Sequence, residues 1–114
     1  MSWTRERKLA AYEALVSGVP DVERKGRTMP YTSMNGNMFS FLSTDGVLAL
    51  RLERRERDRF LDAHPEALVV QHGAVMHDYV EIPVELLDDP LALEALFAEC
   101  VANARTLKPK PTKR

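Results

Sequence analysis

The chain has 114 residues, enough for one domain with a single modest core and too few for two. Sixteen Lys and Arg stand against seventeen Asp and Glu, so the charge total predicts no strong pull toward nucleic acid or an anionic membrane. The lone Cys100 excludes an internal disulfide, and no apolar run is long enough for a secretory leader or a spanning helix. A cytoplasmic protein is the expectation.

In chain order, TRERKLAAYEALVS (4–17) places Leu9, Tyr12, Leu15 and Val16 on one stripe at helical spacing, with Gly18 and Pro20 positioned to end the helix. The polar DVERKGR (21–27) reads as a connection. Then Asn35-Gly36 and Asp45-Gly46 mark two reversals. Both pairs favour the positive φ values of a type I′ turn, which joins antiparallel strands. Three strands are expected, near 28–34, 37–43 and 47–52. Strict alternation puts Phe39 and Phe41 on one face of the second, and Leu48, Leu50 and Leu52 on one face of the third. Pro30 cannot donate to a ladder, so the first strand lies at an edge or begins after it.

ERRERDRFLDA (53–63) predicts a second helix, with Glu53/Arg57 and Arg54/Asp58 spaced for i,i+4 ion pairs. Its four acids cancel its four arginines, which favours a solvated helix over one that grips phosphate. LVVQHGAVM (68–76) and DYVEIP (78–83) read as two more strands about a turn near Gly73. In DDPLALEALFAECVANARTL, Asp89 is a good N-cap and Pro90 a good first residue for a final helix. Leu93, Leu96, Phe97, Cys100, Val101, Ala104 and Leu107 form its apolar stripe. The prediction is a single α+β domain over 1–107 in the order α-β-β-β-α-β-β-α, with about five antiparallel strands, helices on one face, and a basic extended tail over 108–114.

Chemistry-bearing clusters are sparse. His72, His77, Asp78 and Glu81 flank one turn, but HGAVMHD matches no established metal spacing. Cys100 on the apolar stripe reads as a core residue rather than a nucleophile. Neither a phosphate-binding glycine loop nor a hydrolase elbow is present. The expectation is therefore no catalytic residue, no metal and no cofactor. Tyr31, Thr32, Ser33 and Asn35 form the densest group of uncharged polar side chains, fit either to shape the turn or to make a small recognition surface. Arg24, Lys25, Arg27, Lys108 and Lys110, with Arg5, Arg7 and Lys8 of the first helix, are the candidate phosphate contacts.

TMPYTSMNGNMFSFLSTDGVLALRL followed by QHGAVMHDYVEIPVELLDDPLALEALFAECVANARTLKPKP resembles the TfoX N-terminal-domain-like family over roughly Lys25 to Pro111. The resemblance rests on Met38-Phe39 in a strand, the Asp45-Gly46-x-Leu-x-Leu-Arg51 run, the Pro83-x-x-Leu-x-Asp-Asp89 approach to the last helix, and a Lys/Pro tail. The family's glycine-rich opening stands here as Met29-Pro30-Tyr31-Thr32, so no role of those glycines transfers. The resemblance implies a two-layer α+β fold similar to secretion-chaperone-like domains, and no catalytic residues. The family takes its name from bacterial competence regulators that carry a second domain, for which this chain leaves no room. Two readings follow: a small protein-binding or self-associating module in a regulatory pathway, or a weak nucleic-acid binder.

Overall fold

The computed structural model describes residues 3–71 and 73–108. Its elements are α1 (Arg5–Ser17), β1 (Tyr31–Met34), β2 (Asn37–Leu42), β3 (Leu48–Arg51), α2 (Arg54–Ala63), a 3-10 turn (Pro65–Ala67), β4 (Leu68–Gln71), β5 (Ala74–Glu81), α3 (Val84–Leu87) and α4 (Pro90–Thr106). Apart from the one-turn α3, this is the order expected. The strands form one open antiparallel sheet, β1-β2-β3-β5-β4. β1 lies at an edge and starts after Pro30, which answers the missing donor in both ways proposed.

Local chemistry accounts for the boundaries. The Thr4 hydroxyl accepts from the Arg7 amide at 3.2 Å to start α1, and the Asp89 carboxylate accepts from the Ala92 amide at 3.2 Å to start α4. Asn35 and Gly36 sit at φ 54° and 81°, the two positive values of a two-residue I′ reversal. The second reversal differs from expectation. Among its residues Gly46 alone is left-handed, at φ 88°. The Gly46 amide donates to the Ser43 carbonyl at 3.1 Å, and the Ser43 amide to the Val47 carbonyl at 2.9 Å. The connection is thus three residues long, a turn followed by one left-handed glycine, and Asp45 is free to bond the Ser43 hydroxyl instead of adopting positive φ.

The strict alternation expected of β2 also fails, for a clear reason. Thr32 pairs with Ser40, but Ser33 pairs with Met38, so Phe39 is an extra residue in β2. This β-bulge turns the strand, and the two phenylalanines part. Phe39 joins Leu42, Leu48, Leu50 and Leu52 under the helices, whereas Phe41 packs on the opposite face with Ala49, Val69 and Tyr79. Tyr12, Leu15 and Val16 of α1 and the apolar stripe of α4 complete the first cluster, with Phe60 and Leu61 of α2 at its margin. No helical residue joins the second cluster, which Met29, Tyr31, Met38, Val47 and Met76 flank. The single oily face expected from sequence is therefore two apolar clusters, with the helices on one.

α2 keeps its helix but not its expected ion pairs. Glu53 caps it, accepting from the Arg55 amide at 2.8 Å, and the observed pairs are Arg57–Asp58 and Arg59–Glu56. The last hairpin turns at Gly73, φ 77°, so β5 starts at Ala74 and is longer than expected.

The start of the β1 edge is covered by its own preceding loop. Lys25 and Tyr31 exchange both backbone hydrogen bonds, at 2.7 and 2.9 Å, around a loop in which Gly26 has φ 82°. A Cβ on Gly26 would stand 2.4 Å from the Met29 carbonyl oxygen. Gly26→Ala combines that clash with a disfavoured φ and should cost about 2 kcal/mol. Urea unfolding measures this, and a loss of only a few tenths would contradict the account.

Candidate functional site

The expected polar group does not assemble into one surface. Thr32 is fully buried, and its hydroxyl hydrogen-bonds the Ser40 hydroxyl, which in turn meets the Tyr12 hydroxyl at 2.5 Å. Thr32 is thereby corrected from recognition residue to core polar group: it stands opposite Ser40 of β2 on the face that α1 covers, and burial there requires a partner. Tyr31 and Ser33 are half-buried, and Asn35 is exposed at the turn tip. Burial pushes the Tyr12 hydroxyl up to about 12, the Ser40 and Thr32 hydrogen bonds opposing that rise.

The cations of the nucleic-acid reading are largely engaged within the protein. Arg5 donates to the carbonyls of Ser43 and Thr28, both at 2.9 Å, and Lys8 to that of Gly46 at 2.7 Å. These contacts clasp the β2–β3 turn to α1. Arg7 lies over the Trp3 ring at 4.2 Å, and Arg24 pairs with Glu13 at 2.7 Å. Lys25 reaches Ser33 Oγ at 3.4 Å, and Arg27 is exposed. The Lys108 carbonyl accepts from Asn37 at 2.8 Å while its side chain is exposed; Lys110 lies outside the described residues. Arg105, in α4, makes a two-pronged contact with Asp21 that holds that carboxyl below its ordinary range.

His77 and Asp78 are exposed on β5, and Glu81 is half-buried; His72 lies outside the described residues. Desolvation raises the Glu81 carboxyl. Cys100 is fully buried, donates to the Phe39 carbonyl at 3.2 Å, and is pushed by burial up to about 12. A thiol so placed is protonated at neutral pH and shielded from solvent, which suits packing and not nucleophilic attack.

The feature that the sequence does not locate is which strand forms the open sheet edge. Among the described residues nothing pairs with the outer side of β4, which ends the sheet opposite β1. Its Leu68 and Val70 are 45% and 52% exposed, and Val75 across the hairpin is 38% exposed. Val69 between them is buried against Phe41 and Tyr79. LVVQ carries no charge and no proline, the usual guards of such an edge. The signal existed in that uncharged tetrapeptide, but only the strand order reveals that it is terminal.

No family model matches the chain, and comparison with curated proteins and with solved structures finds no match. Among the described residues no helix is long and apolar enough to cross a membrane.

The buried Cys100 makes stability fall at alkaline pH. Its folded-state pKa is raised, so the unfolded chain loses this proton first; the contribution is complete below its ordinary value of 9.0 and is lost as pH rises through about 12. Stability measured by urea titration should decline across that window, and Cys100→Ala should make the decline shallower. An identical slope in the variant would contradict the assignment.

Proposed function

We propose that this chain is a non-catalytic interaction domain of the TfoX N-terminal-like kind, which pairs with a second copy of itself by extending its sheet from β4. One observation carries the reading: the β1 edge is bridged at Tyr31 by Lys25, whereas the β4 edge has no backbone partner among the described residues and is aliphatic. Antiparallel pairing of β4 with β4 about a two-fold axis lets each strand supply the donors and acceptors the other lacks. The same pairing shelters Leu68 and Val70. A charge near such an axis would face its own copy; the Leu68–Gln71 strand has none.

A four-residue strand offers a small contact, so the association is weak and concentration-dependent. That suits a regulatory module in a reducing cytosol. The TfoX-like assignment is supported by the element order and by the Asp45–Arg51 and Pro83–Asp89 runs in their expected places. The nucleic-acid alternative has less support, because Arg5, Lys8 and Arg24 among its candidate cations already have partners inside the protein.

Light scattering after size exclusion tests the proposal. The mass should rise toward that of a dimer at high micromolar concentration, and Val70→Lys should restore the monomer with an unchanged circular dichroism spectrum. A strict monomer throughout, or a dimer indifferent to Val70→Lys, overturns it.

A further inference from the structure

Away from the open edge, the C-terminal end of α2 faces the start of α3. His64 follows α2, Glu66 lies in the 3-10 turn and Glu85 in α3. One nitrogen, His64 Nδ1, stands 3.6 Å from a Glu66 oxygen and 3.8 Å from a Glu85 oxygen. The three donor atoms lie within 4.8 Å of one another. Both His–Glu separations are too long for a direct hydrogen bond. They are close to the span of about 3.4 Å that separates two ligands of a tetrahedral metal with bonds near 2.1 Å.

We infer that His64, Glu66 and Glu85 form a binding site for a divalent transition-metal ion, with zinc as the best-fitting member of that class. Three features carry the inference. The donors are a mixed nitrogen–oxygen set from two connections far apart in sequence, which distinguishes them from a chance run of acidic residues. An imidazole with two carboxylates and an open fourth position suits zinc, whereas magnesium and calcium prefer oxygen alone. The His64 ring is also steadied: it is half-buried and packs against Phe60 with centroids 4.9 Å apart at a 39° tilt.

The surroundings favour a cation as well. Glu66 and Glu85 line a cavity of about 230 Å³ together with Glu81 and Lys8. Lys8 is the one cation among these lining residues, and its ammonium donates to the Gly46 carbonyl. Glu66 and Glu85 are exposed, so their carboxylates have room to turn toward a shared ion. Binding would tie the α2–β4 connection to the β5–α4 connection, bracing two segments that no ladder joins. This site is independent of the pairing proposed for β4.

Isothermal titration of the full chain with zinc ion tests the site, at a pH where a ligating imidazole is neutral. Saturable binding of a single equivalent is expected. His64→Ala should abolish it. Glu85→Gln, at an exposed position that leaves the core untouched, should weaken it roughly tenfold or more. His72→Ala/His77→Ala should leave it unchanged. Absence of saturable binding overturns the inference. So does binding that survives both His64→Ala and Glu85→Gln, or that disappears with His72 and His77.

Discussion

The extra residue in β2 is the constraint on which the two-sided sheet depends. Without Phe39 as a bulge, Phe39 and Phe41 would share one face, and the other face would lose a fully buried phenylalanine. With it, Phe39 fills the helix layer and Phe41 stacks at 5.4 Å on Tyr79 on the far side. The backbone at the bulge is held from both sides at once. Tyr79 donates its hydroxyl to the Met38 carbonyl at 2.7 Å, and Cys100 its thiol to the Phe39 carbonyl at 3.2 Å. Both donors are raised well above their ordinary pKa by burial, so they remain protonated and able to donate across the physiological range. Adjacent to the bulge, Ser40 directs its hydroxyl to Tyr12 and Thr32, which ties α1 to the same strand.

Much of this architecture was legible in the residues because local chemistry and global fold agree there. Asn35-Gly36 sets a two-residue reversal by backbone preference alone, and Asp89-Pro90 sets a helix start by capping alone. The alternation of Leu48, Leu50 and Leu52 holds because β3 is central and regular. The failures occur where tertiary structure overrides a local rule. Periodicity assumes an uninterrupted pleat, so it cannot foresee that one residue of β2 lacks a counterpart. Asp45-Gly46 has the composition of a two-residue turn, yet the Ser43 side chain accepts from the Val47 amide at 2.9 Å and stabilises a longer one. The ion pairs of α2 were misassigned because Glu53 serves its exposed amides better than it serves Arg57.

The surface was less legible than the core, for a related reason. Polar and basic letters suggest binding, but here many are consumed internally. Thr32 is a buried link, Arg5 and Lys8 are backbone clasps, and Arg24 and Arg105 answer Glu13 and Asp21. Besides exposed cations such as Arg27, the available positions include Leu68, Val70 and Val75 at the open edge, and His64 with two carboxylates from separate elements. Glu66 and Glu85 are nineteen positions apart in sequence (85 against 66), and no spacing rule connects them.

The contrast between the two sheet edges links these points to function. Covering the start of β1 takes a glycine with a left-handed backbone, a bridge of two hydrogen bonds and a proline placed where no donor is needed. Each device lowers the tendency of that edge to recruit another strand. β4 has none of them, although its neighbour β5 is the longest strand and supports it firmly. Shortness alone limits β4, and it limits the strength of any pairing more than its specificity. A four-residue edge that is apolar, uncharged and unguarded is suited to a contact that forms and dissolves with concentration.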